Sequence, residues 1–430
     1  MAWFARKQDS VAQESEEEVE APRLPEPPVV NATGLRSAAD HTAYLLSLVD
    51  PLPAFGMPLL EAWNQVMTED VDSLVNVPAV STAKVPGYAV RALDLTDDDG
   101  RLSRAVHVVD PGVERLPVGG AVVVAPGDAL PPGANAVLPV SFATLADGRL
   151  SLIDRVGEAE YVRAAGEHLP VGTRLLSEGD VLGERAIGLL ASAGIERVLV
   201  RPRPRVVVLG SGERLADHDG ELSPGEAADA NSYLIAAAAK AAGATVFRVA
   251  VHTNDTETIR QTLSDQLIRA DLVISTTGGR REDYEAVASV LADIGLVDSA
   301  DVAMSPGRTH TFALVGEDRV PVLMLPGNPV SAYVTFQAFA RPLIRRLMGA
   351  ATEPRVARAI AGSTLRSTKG QLHLLRGQLR TEGSIRHVDQ ATMPHALGEL
   401  AASNALIVLD EHTESVRAGQ QVPVWLLDEE

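Results

Sequence analysis

Cysteine is absent from the 430-residue sequence, which excludes disulfides, thiolate metal sites and cysteine nucleophiles together. Aromatic side chains are scarce, at 4%, which argues against an aromatic-packed β-sandwich and for aliphatic α/β layers. No run of about 18 apolar residues occurs, so no membrane-spanning helix is predicted. The amino terminus lacks the basic-then-apolar order of a secretory signal. Basic charge is short as well. The 38 basic and 57 acidic side chains leave a formal charge of −19, a surface that repels nucleic-acid phosphates and anionic membranes. These absences predict a soluble, cytoplasmic protein with no nucleic-acid partner and no direct membrane insertion.

What is present is a large aliphatic core: 46% of residues are hydrophobic, and a chain of this length predicts several lobes. Residues 1–32 read as a disordered acidic and proline-rich tail, with glutamates from Glu14 to Glu20 and then Pro22, Pro25, Pro27 and Pro28. Within it, Trp3-Phe4 beside Arg6-Lys7 is either a short docking element or a frayed end. Helical spacing appears at Ala38, His41, Leu45 and Leu48, and again over 59–68. Short strands at 74–77, 88–93, 104–109, 121–124 and 136–140 alternate with turn clusters such as Asp97-Asp98-Asp99-Gly100. They predict a small β lobe over 71–156, inserted between two parts, 33–70 and 157–200, of a more helical lobe. From 201 to 350, strands at 205–209, 245–251, 271–275, 311–315 and 320–325 alternate with helices at 231–242, 257–268, 284–294 and 329–348. That is the pattern of a doubly wound α/β domain with ligands at the carboxyl ends of its strands. Short strands return over 351–430, read as a small C-terminal β-barrel or sandwich lobe. The predicted fold class is multidomain α/β.

The most specific segment is Leu325-Pro326-Gly327-Asn328-Pro329-Val330-Ser331-Ala332. A strand ends at Leu325 and a helix starts near Pro329, where the missing N–H of proline costs nothing. Glycine lets the backbone approach a ligand, and the free N–H groups of a helix start favour an anion. The same features also serve a well-capped strand–helix turn. LPGNPVSA resembles the signature of the molybdenum insertases, the MoeA family that includes the gephyrin E domain. Further elements resemble that family in order and spacing. They are Val77-Pro78 with Gly87-Tyr88-Ala89-Val90, Pro132-Gly133-Ala134-Asn135-Ala136-Val137, Gly166-Glu167 and Gly210-Ser211-Gly212-Glu213. Asp229-Ala230-Asn231-Ser232, Thr276-Thr277-Gly278-Gly279 with Asp283-Tyr284, and His395-Ala396-Leu397 with Ala402-Ser403-Asn404-Ala405 complete the set. The resemblance runs from about Thr33 onward.

It implies a molybdopterin-binding-like α/β domain beside helical/linker, inserted β and C-terminal β-barrel lobes. It also implies adenylated molybdopterin (molybdopterin-AMP) and molybdate as substrates, Mg²⁺ as cofactor and a homodimer. Carried over by residue, the ligand-binding positions are Gly278, Gly279, Pro306, Gly307, Pro326, Gly327, Asn328 and Pro329. The residual acids are Glu213, Asp229 and Asp283, with Asp229 and Asp283 as metal candidates. Read without the resemblance, Asp229 and Asp283 are equally N-caps of helices beginning at Asn231 and Tyr284.

The resemblance fails at the family's polar positions. The acid of M-D-G-Y is Pro86, and D-N-S-A becomes Ser81-Thr82-Ala83-Lys84. T-G-A-P becomes Pro126-Gly127-Asp128-Ala129, and the last acid of G-E-D is His168. The S-G-G-V-S-x-G loop is about three residues shorter and carries Arg280-Arg281-Glu282, a phosphate grip or a solvated surface. K-P-G-K-P becomes Ser305-Pro306-Gly307-Arg308-Thr309. Removing one preorganised donor commonly costs about 2.7–4 kcal/mol of transition-state stabilisation, so transferase chemistry is expected to be lost and no catalytic residue is assigned.

The expected function is therefore a gephyrin-like scaffold, similar in kind to the repurposed insertases of actinobacteria. It would need no cofactor and would act as a homodimer on a peptide such as the C-terminal tail of the cell-division protein FtsZ. A membrane receptor would recruit it to the septum or membrane. Its peptide groove is expected at Phe336, Phe339, Arg345, Leu347, Met348, Pro394 and Leu397, although Phe336 and Phe339 also fit a core stripe. The alternative is an active molybdopterin molybdenumtransferase that inserts molybdate into adenylated molybdopterin with Mg²⁺. A nucleotide-binding sensor without catalysis is a third reading.

Overall fold

The structure is a computed structural model that describes residues 23–96, 99, 101–102, 106–217, 222–393 and 395–428. The glutamate run, Trp3-Phe4, most of the 97–100 turn and Pro394 lie outside them. Two compact units are formed. One combines Pro204–Arg346 and Ala351–Glu430 with the segment ending at Asp50, and the other is Pro51–Arg203 with Leu347–Ala350.

In the first unit, helix α1 (Ala38–Ser47) starts at Ser37, whose hydroxyl accepts from the N–H of Asp40. Strand β1 (Arg205–Ser211) carries Val206-Val207-Val208-Leu209, all buried, as a central parallel strand covered on both faces requires. Then come α2 (Ala230–Ala241), β2 (Thr245–Val251), α3 (Thr256–Leu267), β3 (Leu272–Thr277) and α4 (Arg281–Ile294). β4 (Gly295–Asp301), β5 (Thr309–Val315) and β6 (Val320–Leu325) complete the sheet. Its order is β2-β1-β3-β6-β5-β4. The strands from β2 to β6 are parallel, and β5 and β4 are antiparallel additions. The chain reverses its direction of growth between β1 and β3, so their carboxyl ends open a crevice. Ile259, Leu263, Val287 and Leu291 of α3 and α4 pack on Val207, Val273 and Val322. Each fully buried aliphatic side chain of this kind contributes about 1.5–3 kcal/mol.

After β6, α5 (Pro329–Thr335) passes through a π-helical turn, Phe336–Ala340, into α6 (Arg341–Leu347). Beyond it, β7 (Val356–Ala361), β8 (Leu372–Glu382), β9 (Ile385–Gln390), α7 (Leu397–Ala401), β10 (Ala405–Leu409) and β11 (Gln421–Leu426) form the expected β-barrel. Its ring runs β8-β9-β7-β11-β10, and β10 pairs back onto β8 to close it. Ala359, Val388, Ile407 and Val424 fill the inside.

In the second unit, Phe55–Pro58, Arg197–Arg201 and Val66–Met67 make a three-stranded sheet that packs with helix Glu184–Ser192. A six-stranded sheet includes Gly87–Val90, Gly120–Val124 and Ala136–Pro139. Three local expectations are corrected here. Residues 59–68 are not a helix: turns follow Pro58 and end at Asn64, whose φ of 60° leaves the helical path, before strand Val66–Met67. Residues 74–77 are irregular, with a bridge from Val77 to Leu169. The strand expected at 88–93 stops at Val90, and a 3₁₀ turn covers Ala92–Leu95.

Candidate functional site

Three loops meet at the carboxyl ends of β1, β3 and β6, and each depends on a glycine. A Cβ on Gly210 would overlap the carboxylate of Asp229. Asp229 is the N-cap of α2, accepting from Ser232 N–H at 3.0 Å and Ser232 Oγ at 2.5 Å, with the Arg248 guanidinium 3.7 Å away. A Cβ on Gly278 would overlap the carboxylate of Asp283, which accepts from Asn254 Nδ2 at 2.8 Å. Asp283 is not an N-cap, because α4 starts at Arg281 and Arg280 holds the cap position without a side-chain bond. A Cβ on Gly327 would overlap the carbonyl oxygen of Gly278. Asn328 accepts from Val330 and Ser331 N–H, both at 3.1 Å, and so caps α5 with Pro329 at its first position.

One buried side chain ties two of these loops together. Asn231 Nδ2 donates to Thr277 O at 3.2 Å and to Gly327 O at 2.7 Å. Asn231→Ala leaves both carbonyls short of a donor, and chemical denaturation should show a loss of about 2 kcal/mol. An unchanged unfolding midpoint would remove Asn231 from this role.

The loops after β3 and β6, rather than the one after β1, wall a cleft of about 770 Å³ together with residues of α4, β4 and β5. Of the expected ligand positions, Gly278, Gly279, Gly307, Pro326, Gly327 and Asn328 line it. Pro306 instead lines a separate cavity of about 270 Å³ with His373 and Arg376. Arg280, Arg281 and Arg308 stand on the cleft wall. Arg280 pairs with Glu282 at 2.6 Å and Glu213 at 3.6 Å, Arg281 with Glu285 at 2.6 Å, and Arg308 with Asp301 at 3.0 Å. Thr277 also lines the cleft, and its buried hydroxyl has no hydrogen-bond partner in the protein. Neither Thr277 nor Asn231 was assigned a role from the sequence; their places within the T-T-G-G and D-A-N-S segments were the available signal.

Mg²⁺ takes oxygen ligands, chiefly carboxylates and water. Glu213, Asp229 and Asp283 do not line the cleft, and Asp229 and Asp283 are buried and engaged by donors. Among the described residues no three acidic or histidine side chains are grouped to hold a metal. The donor set does not fit a resident Mg²⁺.

The groove expected for a peptide is also not formed by its expected anchors. Phe336 and Phe339 are core residues, 0% and 1% exposed, and Leu347 and Met348 are buried. The ring of Phe339 meets those of His41 and His310 edge-on at 4.9 and 4.8 Å. Arg345 Nε donates to Ala351 O at 3.1 Å, and Leu397 is exposed.

Glycine-shaped turns at the carboxyl ends of a parallel sheet, with guanidinium groups on the adjoining cleft wall, define a doubly wound α/β protein whose cleft suits an anionic ligand. Residues 36–194 match the model of the MoeA N-terminal region (domain I and II), 208–346 that of a probable molybdopterin binding domain, and 358–427 that of the MoeA C-terminal region (domain IV). Molybdopterin molybdenumtransferase 1 of Mycobacterium tuberculosis is 34% identical over 423 residues, covering 91% of this chain and 99% of that relative. The molybdopterin molybdenumtransferase of Nostoc sp. is 28% identical over 412 residues, covering 92% and 94%. A crystal structure of a molybdopterin biosynthesis MoeA protein from a Pyrococcus species has the same fold, with a TM-score of 0.78 at 22% identity, covering 92% of this chain and 100% of that one. This chain belongs to the MoeA family.

Proposed function

We propose that the cleft binds adenylated molybdopterin and that the protein acts as a molybdopterin molybdenumtransferase, the activity that its relatives' names carry. The supporting observation is the glycine frame, found in a chain that matches such a relative over 91% of its length. Arg280, Arg281 and Arg308 lie where guanidinium groups can hold phosphoryl oxygens bidentately. Purified protein incubated with adenylated molybdopterin and molybdate should release AMP faster than a protein-free control. Equal rates would overturn this reading.

A second reading is favoured by Lys84. In the second unit its ammonium group lies 2.8 Å from Glu167, the one acid left of the family's G-E-D motif. That hydrogen bond, helped by the N–H of Ala164, holds the Glu167 carboxyl below the usual range. With Pro86 and His168 at neighbouring acid positions of the family, the site chemistry is depleted. This depletion supports loss of transferase chemistry, and the function we propose for such a protein is a gephyrin-like, actinobacterial scaffold, a homodimer that grips the tail of FtsZ and is recruited by a membrane receptor. A ligand that binds only the folded state raises the melting temperature. A rise with the FtsZ tail peptide, no rise with AMP and molybdate, and no AMP release would establish the scaffold over the transferase.

A further inference from the structure

The cleft wall carries cations where a divalent metal needs carboxylates. Arg280, Arg281 and Arg308 line it, and Glu285 is the one carboxylate among its described lining residues. Glu285 is already committed to Arg281 at 2.6 Å. The acids that the family resemblance assigns to a metal are turned into the protein instead. Asp229 is 1% exposed and held by Ser232, and Asp283 is 2% exposed and held by Asn254.

Each guanidinium is paired with an acid, Glu282 or Glu285 of α4 or Asp301 at the end of β4, in contacts that leave the arginine side chains 39%, 89% and 57% exposed. Exposed pairs of this kind are weak and screened by salt. A phosphoryl group offers a guanidinium the same two-point hydrogen bonding with more negative charge. Exchange of carboxylate for phosphoryl oxygen therefore leaves no donor unsatisfied and frees only solvated acids. Thr277 adds a hydroxyl on the same wall, buried and without a partner in the protein.

We propose that this cleft binds a phosphate-bearing ligand of the nucleoside monophosphate class without a divalent cation, the guanidinium groups of Arg280 and Arg308 supplying the positive charge. The inference rests on the reading that the cleft takes an adenylated pterin. Isothermal titration of the full chain with AMP, once in EDTA and once in excess MgCl₂, tests it. The dissociation constants should agree within about twofold, and each should rise with salt. Arg280→Ala and Arg308→Ala should each weaken binding about tenfold, with melting temperatures unchanged. Arg260→Ala, whose side chain pairs with Asp293 on the helical side of the sheet, should bind AMP as the parent does.

Binding only in MgCl₂ would overturn the metal-free inference and leave the pterin-cleft reading standing. Absence of binding in both conditions would overturn both. AMP binding that persists unchanged in the Arg280→Ala/Arg308→Ala double variant would also overturn the inference, since the charge would then come from elsewhere.

Discussion

Replacing Gly327 with alanine is expected to lower the free energy of unfolding by on the order of 3–4 kcal/mol and to abolish stabilisation by AMP. The added methyl would overlap the carbonyl oxygen of Gly278 and reach within 3.0 Å of Gly279 Cα. Both are backbone atoms, so no side chain can rotate out of the way. Overpacking costs about 1–3 kcal/mol where neighbours can yield. Here the loop after β3 has to move, although Asn231 ties it to Gly327 through two hydrogen bonds. Gly279→Ala is the control, because its Cβ would meet nothing within 4 Å, and its effect should stay within about 0.5 kcal/mol. Urea denaturation of the two variants checks the pair. Equal midpoints would show that close approach at Gly327 does not shape the cleft.

Acid should unfold the first unit through His41 and His310. Burial lowers the pKa of His41 to about 3, reinforced by the neighbouring His310 and Arg36. Burial also lowers that of His310 to about 4, against opposing contributions from Gly307 O and Asp301. Arg36 donates to His41 Nδ1 at 3.0 Å and grips Asp298 at 2.7 and 3.0 Å, so that histidine nitrogen has to keep its lone pair. His310 Nε2 donates to Gly307 O at 2.8 Å.

Both folded pKa values lie below the unfolded value of about 6.5. Above pH 6.5 the contribution of the neutral pair is complete. As the pH falls from 6.5 toward 4, the unfolded chain takes up two protons that the folded one refuses. Stability should drop by about 1.4 kcal/mol per histidine per pH unit, or about 5 kcal/mol in all near pH 4.5. Urea midpoints measured between pH 7 and 5 test this, and His41→Gln should remove about half of the slope. A parent whose stability is flat over that range would sink the argument.

Much of the α/β architecture was legible because its strands are continuous apolar runs and its helices carry their own stop and start signals. β2 falls where the run at 245–251, apolar but for Thr245 and Arg248, places it. The cap at Asn328 follows from N-P opening a helix after a buried strand. β4 was missed, since Asp298, Ser299 and Asp301 break any apolar alternation and the strand is held mainly by its ladder with β5. Residues 59–68 failed for the opposite reason. Leu59, Ala62 and Met67 are buried at intervals that mimic a helix, but turns and a strand deliver them to the core.

In the site, the glycine frame could be read because glycine leaves few alternatives where backbone meets ligand or side chain. The burial of Asp283 behind Gly278 could not, since it depends on an approach across the loop that no spacing encodes. Phe336 and Phe339 were ambiguous by spacing alone; the full burial of both, with Phe339 against the rings of His41 and His310, decides that they are core.

The closed ring of β7 to β11 has a consequence for recognition. Every strand in it has a pairing neighbour on both sides, although β7 and β9 meet only at Ile360–His387 and Ala361–Val388. An extended peptide that docks by adding a strand finds no strand of this ring with a wholly unpaired edge. A protein that recognises it has to read individual side chains, such as the exposed Leu397 on α7. Specificity there rests on a few replaceable residues, and a partner can be gained or lost by point substitution while the ring stays the same.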